Sequence, residues 1–73
     1  MEIAAEKDFS DILRNLMKER KFTQSKLAEV MEIKQSQISE WLSGKAKPGY
    51  DNLRKLAQVF EVSADYLLML TDY

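Results

Sequence analysis

The sequence predicts an all-α fold, a compact bundle of five short helices, and three observations carry that reading. Apolar residues recur at three- and four-residue spacing, from Phe9, Ile12, Leu13 and Leu16 to Leu53, Leu56, Ala57 and Phe60, the period of helices with one buried face. No stretch alternates apolar and polar residues as a half-buried strand does. Capping and breaking residues (Asp8, Thr23, Gly44, Pro48-Gly49 and Ser63) punctuate the chain at close intervals, so the connections are short.

The elements follow in order. Asp8 can cap a first helix over Phe9 to Arg20, with Asp11 in the capping-box position and Phe9, Ile12, Leu13 and Leu16 on one face. Thr23 caps a second over Gln24 to Met31, and a third runs from Gln35 to Ser43 before Gly44 ends it. After Pro48-Gly49, the residues Tyr50, Leu53, Leu56, Ala57 and Phe60 keep a helical period to Phe60, and Ser63 caps a short fifth helix. The aromatic residues Phe9, Phe22, Trp41, Tyr50 and Phe60 stand at core spacing and are expected to pack. Residues 1–8 read as a flexible N-terminal arm, 9–70 as one domain and 71–73 as a C-terminal tail.

Residues 24–41 carry the most specific pattern. Leu27 and Met31 share one face of the second helix, and the small Ala28 allows close approach of the next. The break falls at Glu32-Ile33-Lys34, after which Ile38 and Trp41 form a new inward stripe that leaves Gln35, Ser36, Ser39 and Glu40 facing outward. Two short helices crossing steeply and presenting one polar helix face form a helix-turn-helix, the unit that sets a recognition helix in a DNA major groove.

Composition bounds the possibilities. A chain of 73 residues buries about 60% of its unfolded surface, so stability is expected to be modest. The absence of Cys and His removes disulfides, the usual zinc ligands and the commonest general base; no metal, cofactor or catalytic residue is expected. The first seven residues lack the basic start and apolar stretch of a signal peptide, and the longest apolar run, Tyr66 to Leu70, is far short of the roughly 20 residues that span a bilayer, so a cytoplasmic location without membrane contact is expected. The net charge of −1 argues mildly against a nucleic-acid ligand, but the distribution of charge points the other way. Ten basic residues (Arg14, Lys18, Arg20, Lys21, Lys26, Lys34, Lys45, Lys47, Arg54 and Lys55) fall within 14–55 against five acidic ones, while each end of the chain carries −3.

From about Phe9 to Leu68 the chain resembles the lambda-repressor-like, Cro/CI-type DNA-binding domains, the XRE family. The residues that carry the resemblance are Leu16, Thr23-Gln24, Leu27-Ala28, Ile33, Ile38-Ser39, Gly44-Lys45-Ala46-Lys47-Pro48, Leu53, Leu56-Ala57 and Val62-Ser63 with Asp65 and Leu67. It implies a five-helix domain, usually dimeric, that represses or activates transcription at a short operator. Carried over by position, it implies base reading by Lys34, Gln35, Ser36 and Glu40, and phosphate contact by Gln24, Gln37, Ser43, Lys45 and Lys47. Their chemistry is suitable: Gln pairs bidentately with adenine N6 and N7, Ser donates or accepts, and Glu accepts from cytosine N4.

Two departures from the family pattern stand out. Lys21, Glu32 and Glu61 occupy positions where the family commonly has glycine after a helix, so each is expected either to tolerate a left-handed backbone at roughly 1 kcal/mol or to use another turn. Met17 and Leu42 replace an Arg and a Glu that the family often pairs; since both charges are gone together, an apolar contact is expected in their place.

The leading function is therefore a sequence-specific regulator of double-stranded DNA, a repressor acting as a homodimer at a palindromic operator. The alternative is a protein-interaction module, such as an antitoxin or adaptor, with secondary DNA contact; an enzyme is a distant third. The apolar end of the fifth helix, Tyr66, Leu68, Met69 and Leu70 with Tyr73, is the expected dimer interface. No sensor domain is expected, so regulation would come from concentration, a partner or proteolysis.

Overall fold

Each helix begins where a polar side chain or an extended residue frees it to begin. The structure, a computed structural model, describes residues 8–68. Its helices are α1 (Phe9–Arg20), α2 (Gln24–Met31), α3 (Gln35–Ser43), α4 (Tyr50–Phe60) and α5 (Ala64–Leu67). The side chains of Asp8, Thr23 and Ser63 accept hydrogen bonds from the backbone N–H of Asp11, Lys26 and Tyr66, satisfying donors that the first turn leaves without partners. At α1 the box is closed from both sides: Asp11 N–H donates to Asp8 at 3.2 Å, and Asp8 N–H donates to the Asp11 carboxylate at 3.4 Å. The Ser10 hydroxyl donates to Asp8 Oδ1 at 2.8 Å, and these bonds hold the Asp8 carboxyl below its ordinary value.

Helices α1 to α4 all end the same way. Lys21, Glu32, Gly44 and Glu61 turn left-handed at φ 59, 61, 82 and 58°. The next residue's N–H then reaches back over the final turn: Phe22 to Met17 O, Ile33 to Ala28 O, Lys45 to Glu40 O and Val62 to Ala57 O, at 2.8 to 3.0 Å. This is the Schellman closure. Three of the four left-handed residues are not glycine, and each is followed by an apolar residue, Phe22, Ile33 or Val62, that packs against the core. Burial of that residue fixes the turn and overrides the local backbone preference. The expected alternative turn is therefore not used.

The core takes Phe9, Ile12, Leu13, Leu16 and Met17 from α1, Leu27, Ala28 and Met31 from α2, Ile38 and Trp41 from α3, Leu56 and Phe60 from α4 and Leu67 from α5. Phe22 meets Phe60 edge to face at 5.4 Å between ring centroids. No polar or charged side chain is buried among the described residues. Met17 is buried and the half-buried Leu42 packs against the same core, so apolar side chains fill the two positions where the family often has a charged pair.

One core expectation is wrong. Tyr50 is 74% exposed, although it keeps the helical spacing of Leu53, Leu56 and Phe60. It is the first residue of α4, and helical side chains lean toward the N-terminus, away from Leu53, Leu56 and Phe60 further along the helix. Of the expected dimer surface, Tyr66 is half-buried against the core and Leu68 is 49% exposed. Met69, Leu70 and Tyr73, the tail 71–73 and residues 1–7 of the expected arm lie outside the described residues. No helix among the described residues is long and apolar enough to cross a membrane.

Candidate nucleic-acid interface

Helix α3 is anchored by two large buried side chains and presents its polar side chains outward. Ile38 and Trp41 are buried, and Leu42 is half-buried beside them. With 3.6 residues per turn, the direction opposite that anchor is occupied by Ser36, Ser39, Glu40 and Ser43, with Gln35 and Gln37 on its flanks. All six are exposed, as are Lys34 before the helix and Lys45 and Lys47 after it. The side chains of Lys34, Gln35, Ser36, Gln37 and Glu40 make no hydrogen bond among the described residues, so their donors and acceptors face solvent.

The helix begins without a side-chain cap. Lys34 is extended, and its carbonyl accepts from Gln37 N–H at 3.0 Å. The helix thus starts without a carboxylate or hydroxyl acceptor and with a lysine as its N-cap residue, so this end carries no neutralising acidic cap. At the other end Gly44 turns left-handed at φ 82°. The Ser43 hydroxyl donates to Glu40 O at 3.1 Å and accepts from Lys45 N–H at 3.4 Å, which fixes the backbone from which the Lys45 side chain projects.

Gln24 is the expected site residue whose surroundings differ most from a plain exposed side chain. It is half-buried at the first position of α2, and Ser39 Oγ donates to its Oε1 at 2.8 Å. That bond ties the start of α2 to the middle of α3 and leaves the Gln24 amide N–H groups as its donors to a ligand. Lys47 shares a shallow cavity with Asp8 and Ser10 at the start of α1 and Gly44 at the end of α3, and its charge helps to lower the Asp8 pKa. Its field is partly offset by that carboxylate.

Three contacts that hold the unit together were not anticipated. Besides the Ser39–Gln24 bond, Arg14 Nη2 donates to Leu42 O at 2.8 Å and Lys55 Nζ donates to Met31 O at 3.3 Å. The Asp11–Arg14 pair at 3.3 Å has a visible signal in its i, i+3 spacing. The carbonyl acceptors 28 and 24 residues away have none, since every residue carries one.

Residues 13–67 match the helix-turn-helix family. The chain is 42% identical over 60 residues to the uncharacterized HTH-type transcriptional regulator YobD of Bacillus subtilis, covering 82% of this chain and 54% of the relative. It is 34% identical over 61 residues to the HTH-type transcriptional activator BcrR of Enterococcus faecalis, covering 84% of this chain and 30% of that one. The chain thus spans about a third to a half of the length of these curated relatives. Among solved structures it resembles the P22 c2 repressor in complex with a synthetic operator, with a TM-score of 0.82, 27% identity and coverage of 86% of this chain and 96% of the other. With its helix order, its left-handed helix ends and a match that runs from Leu13 to Leu67, the chain belongs to the helix-turn-helix family of the lambda-repressor-like, Cro/CI type.

Proposed function

We propose that the chain is a transcriptional regulator that binds double-stranded DNA sequence-specifically, setting α3 in the major groove as a repressor dimer on a palindromic operator. One observation carries the reading: Ile38 and Trp41 bury one side of α3 in the core, while its other side presents Ser36 and Glu40, with Gln35 on the flank, and none of the three has an internal side-chain partner among the described residues. The operator-bound P22 c2 repressor, a similar fold, supports it.

In this reading Lys34, Gln35, Ser36 and Glu40 meet base edges. Lys34 donates to guanine O6 or N7, Gln35 pairs with adenine, Ser36 bonds to either and Glu40 accepts from cytosine N4. Gln24, Gln37, Ser43, Lys45 and Lys47 meet phosphates and set the register. Glu40 also repels phosphates, so a shifted register brings a carboxylate against the backbone. That repulsion adds selectivity.

A single recognition helix reads only a few base pairs, and a twofold dimer doubles base and phosphate contacts alike. The proposed contact lies around the exposed Leu68 and half-buried Tyr66 and continues into Met69, Leu70 and Tyr73. Half-sites are then centred about 10 base pairs apart.

Titrating a fluorescent duplex across salt concentrations tests the reading. With three or four phosphates neutralised per copy, the dimer gives a log–log slope of roughly −5 to −7. A flat salt response contradicts it. Sedimentation of the complex, with and without residues 69–73, tests the dimer: dimerisation of the truncated chain would move the interface elsewhere.

A further inference from the structure

We infer that Arg14 is a positioning residue for DNA recognition: from α1, its guanidinium holds the C-terminal end of α3 and so sets Glu40, Ser43 and Lys45 relative to Gln35 and Ser36. The inference rests on the DNA-binding reading above.

The last turn of any helix leaves carbonyls without intrahelical donors. In α3 the Schellman closure takes care of two: Lys45 N–H donates to Glu40 O at 3.0 Å and Gly44 N–H donates to Trp41 O at 3.3 Å. The carbonyls of Leu42 and Ser43 are left over, and Arg14 Nη2 takes that of Leu42 at 2.8 Å. A cation at a helix C-terminus also meets the negative end of the macrodipole, so both effects act in one direction. The guanidinium is itself held, since Nη1 lies 3.3 Å from Asp11 Oδ1 and Asp11 is fixed by its capping-box bonds with Asp8. The capped start of α1 is thereby tied to the end of α3. Lys55 does the equivalent for α2, reaching Met31 O from α4, so both helices of the helix-turn-helix are held at their C-terminal ends by a cation from a flanking helix.

The placement matters because Leu42 lies between Glu40 and the segment Ser43 to Lys45. A recognition surface works only when its groups are held to within about 0.5 Å of their productive positions. Base readers lie at the start and middle of α3 and phosphate holders at its end. If the last turn frays, the two sets lose their fixed separation, and the operator loses affinity while random DNA, which needs no register, hardly does.

The competing role is direct phosphate contact, since the Arg14 side chain is 56% exposed. Asp11 separates the two, because its removal acts with opposite signs. As a support of Arg14, losing its carboxylate weakens operator binding; as a mere neighbour of a phosphate-binding Arg, losing it strengthens binding.

The test uses the full chain with two probes, the tightest duplex selected from a random pool and an unselected duplex of equal length. Arg14→Met is expected to weaken the selected duplex about five- to tenfold and the unselected one less than about twofold, with the salt slope unchanged. Asp11→Asn is expected to weaken the selected duplex about two- to threefold, and Arg14→Lys to restore part of what Arg14→Met loses, since an ammonium reaches one acceptor without the guanidinium fork. Amide hydrogen exchange of the free protein reads the clamp without DNA: Gly44, Lys45 and Ala46 exchange about fivefold faster in Arg14→Met, while Phe22 and Ile33, in the equivalent closures of α1 and α2, do not. Unchanged exchange at α3 overturns the inference. So do equal losses on both duplexes with a dimer slope reduced by about 1.8, one phosphate contact per copy, and a gain from Asp11→Asn. A wild-type chain that bound no duplex would instead overturn the DNA reading, and the exchange result would then describe a structural clamp alone.

Discussion

Replacing Glu61 or Glu32 by glycine is expected to stabilise the protein, although neither side chain is in the core and a glycine adds no contact. Both residues sit left-handed, at φ 58° and 61°. For a residue with a Cβ that conformation costs about 1–2 kcal/mol relative to glycine. The greater freedom of glycine in the unfolded chain takes back about 0.4–1 kcal/mol, so the net gain is roughly 0.5–1 kcal/mol at each site. Charge then ranks the three sites. Glu32 and Glu61 place a carboxylate at the negative end of a helix macrodipole, and removing it adds about 0.3 kcal/mol; Lys21, at φ 59°, places a cation there, and removing it subtracts as much. Glu32→Gly and Glu61→Gly, at about 0.8–1.3 kcal/mol each, therefore exceed Lys21→Gly, whose gain is about 0.2–0.7 kcal/mol. The two glutamates close different helices, so the double variant gains about 1.6–2.6 kcal/mol and melts about 6–20 °C higher. Gly44→Ala is the control of opposite sign. Nothing lies within 4 Å of an added Cβ there, so a loss of about 1 kcal/mol would come from the backbone alone. Thermal melts followed by circular dichroism give all five values. A neutral or destabilised Glu61→Gly together with a harmless Gly44→Ala would show that left-handed strain is not what these positions carry.

The remaining expectations concern the site and the caps. Gln35→Ala is expected to cost about 1–3 kcal/mol on a selected duplex and relax its selectivity, while Lys45→Ala weakens all duplexes alike; competition binding distinguishes them, and identical behaviour would undo the division into readers and holders. Leu42→Glu is expected to cost only about 1–2 kcal/mol, because Leu42 is half-buried and Arg14 is close to its backbone, and Met17→Arg in addition should recover part of it. Purely additive losses in a double-mutant cycle would show that the two positions do not interact. Asp8 has its pKa lowered by the Ser10 hydroxyl and the Asp11 N–H, so its contribution is present above the ordinary carboxylate range and is lost as pH falls through the lowered value. The melting-temperature gap between wild type and Asp8→Ala should be widest near neutrality and close in acid; a gap independent of pH would contradict the charged cap.

The caps and periods were legible in the sequence because each is a local device. Asp8, Thr23 and Ser63 carry the acceptors that helix starts require, and the spacing of Leu27, Met31, Ile38 and Trp41 allows few arrangements other than two crossing helices. Tyr50 misled for a geometric reason. Periodicity gives the face of a helix but not how far along its axis the neighbours extend, and Tyr50, at the first position of α4, is left exposed. Glu32 and Glu61 were open between two turns because the deciding quantity, burial of the following Ile33 or Val62, belongs to the assembled core. Within the site, the outward face of α3 was readable from Ile38 and Trp41, whereas the Ser39–Gln24 and Arg14–Leu42 bonds were not. Each joins groups distant in sequence, one through a small hydroxyl and one through a backbone carbonyl.

Sequence-specific reading of DNA by α3 is tested most simply by selecting bound sequences from a pool of random duplex DNA, with the intact chain at near-physiological salt. Enrichment of a palindromic motif is expected, its halves centred about 10 base pairs apart and its contacted bases changing when Gln35 is replaced by alanine. A pool that shows no enrichment, or a motif indifferent to Gln35, Ser36 and Glu40, would mean that this helix does not read DNA.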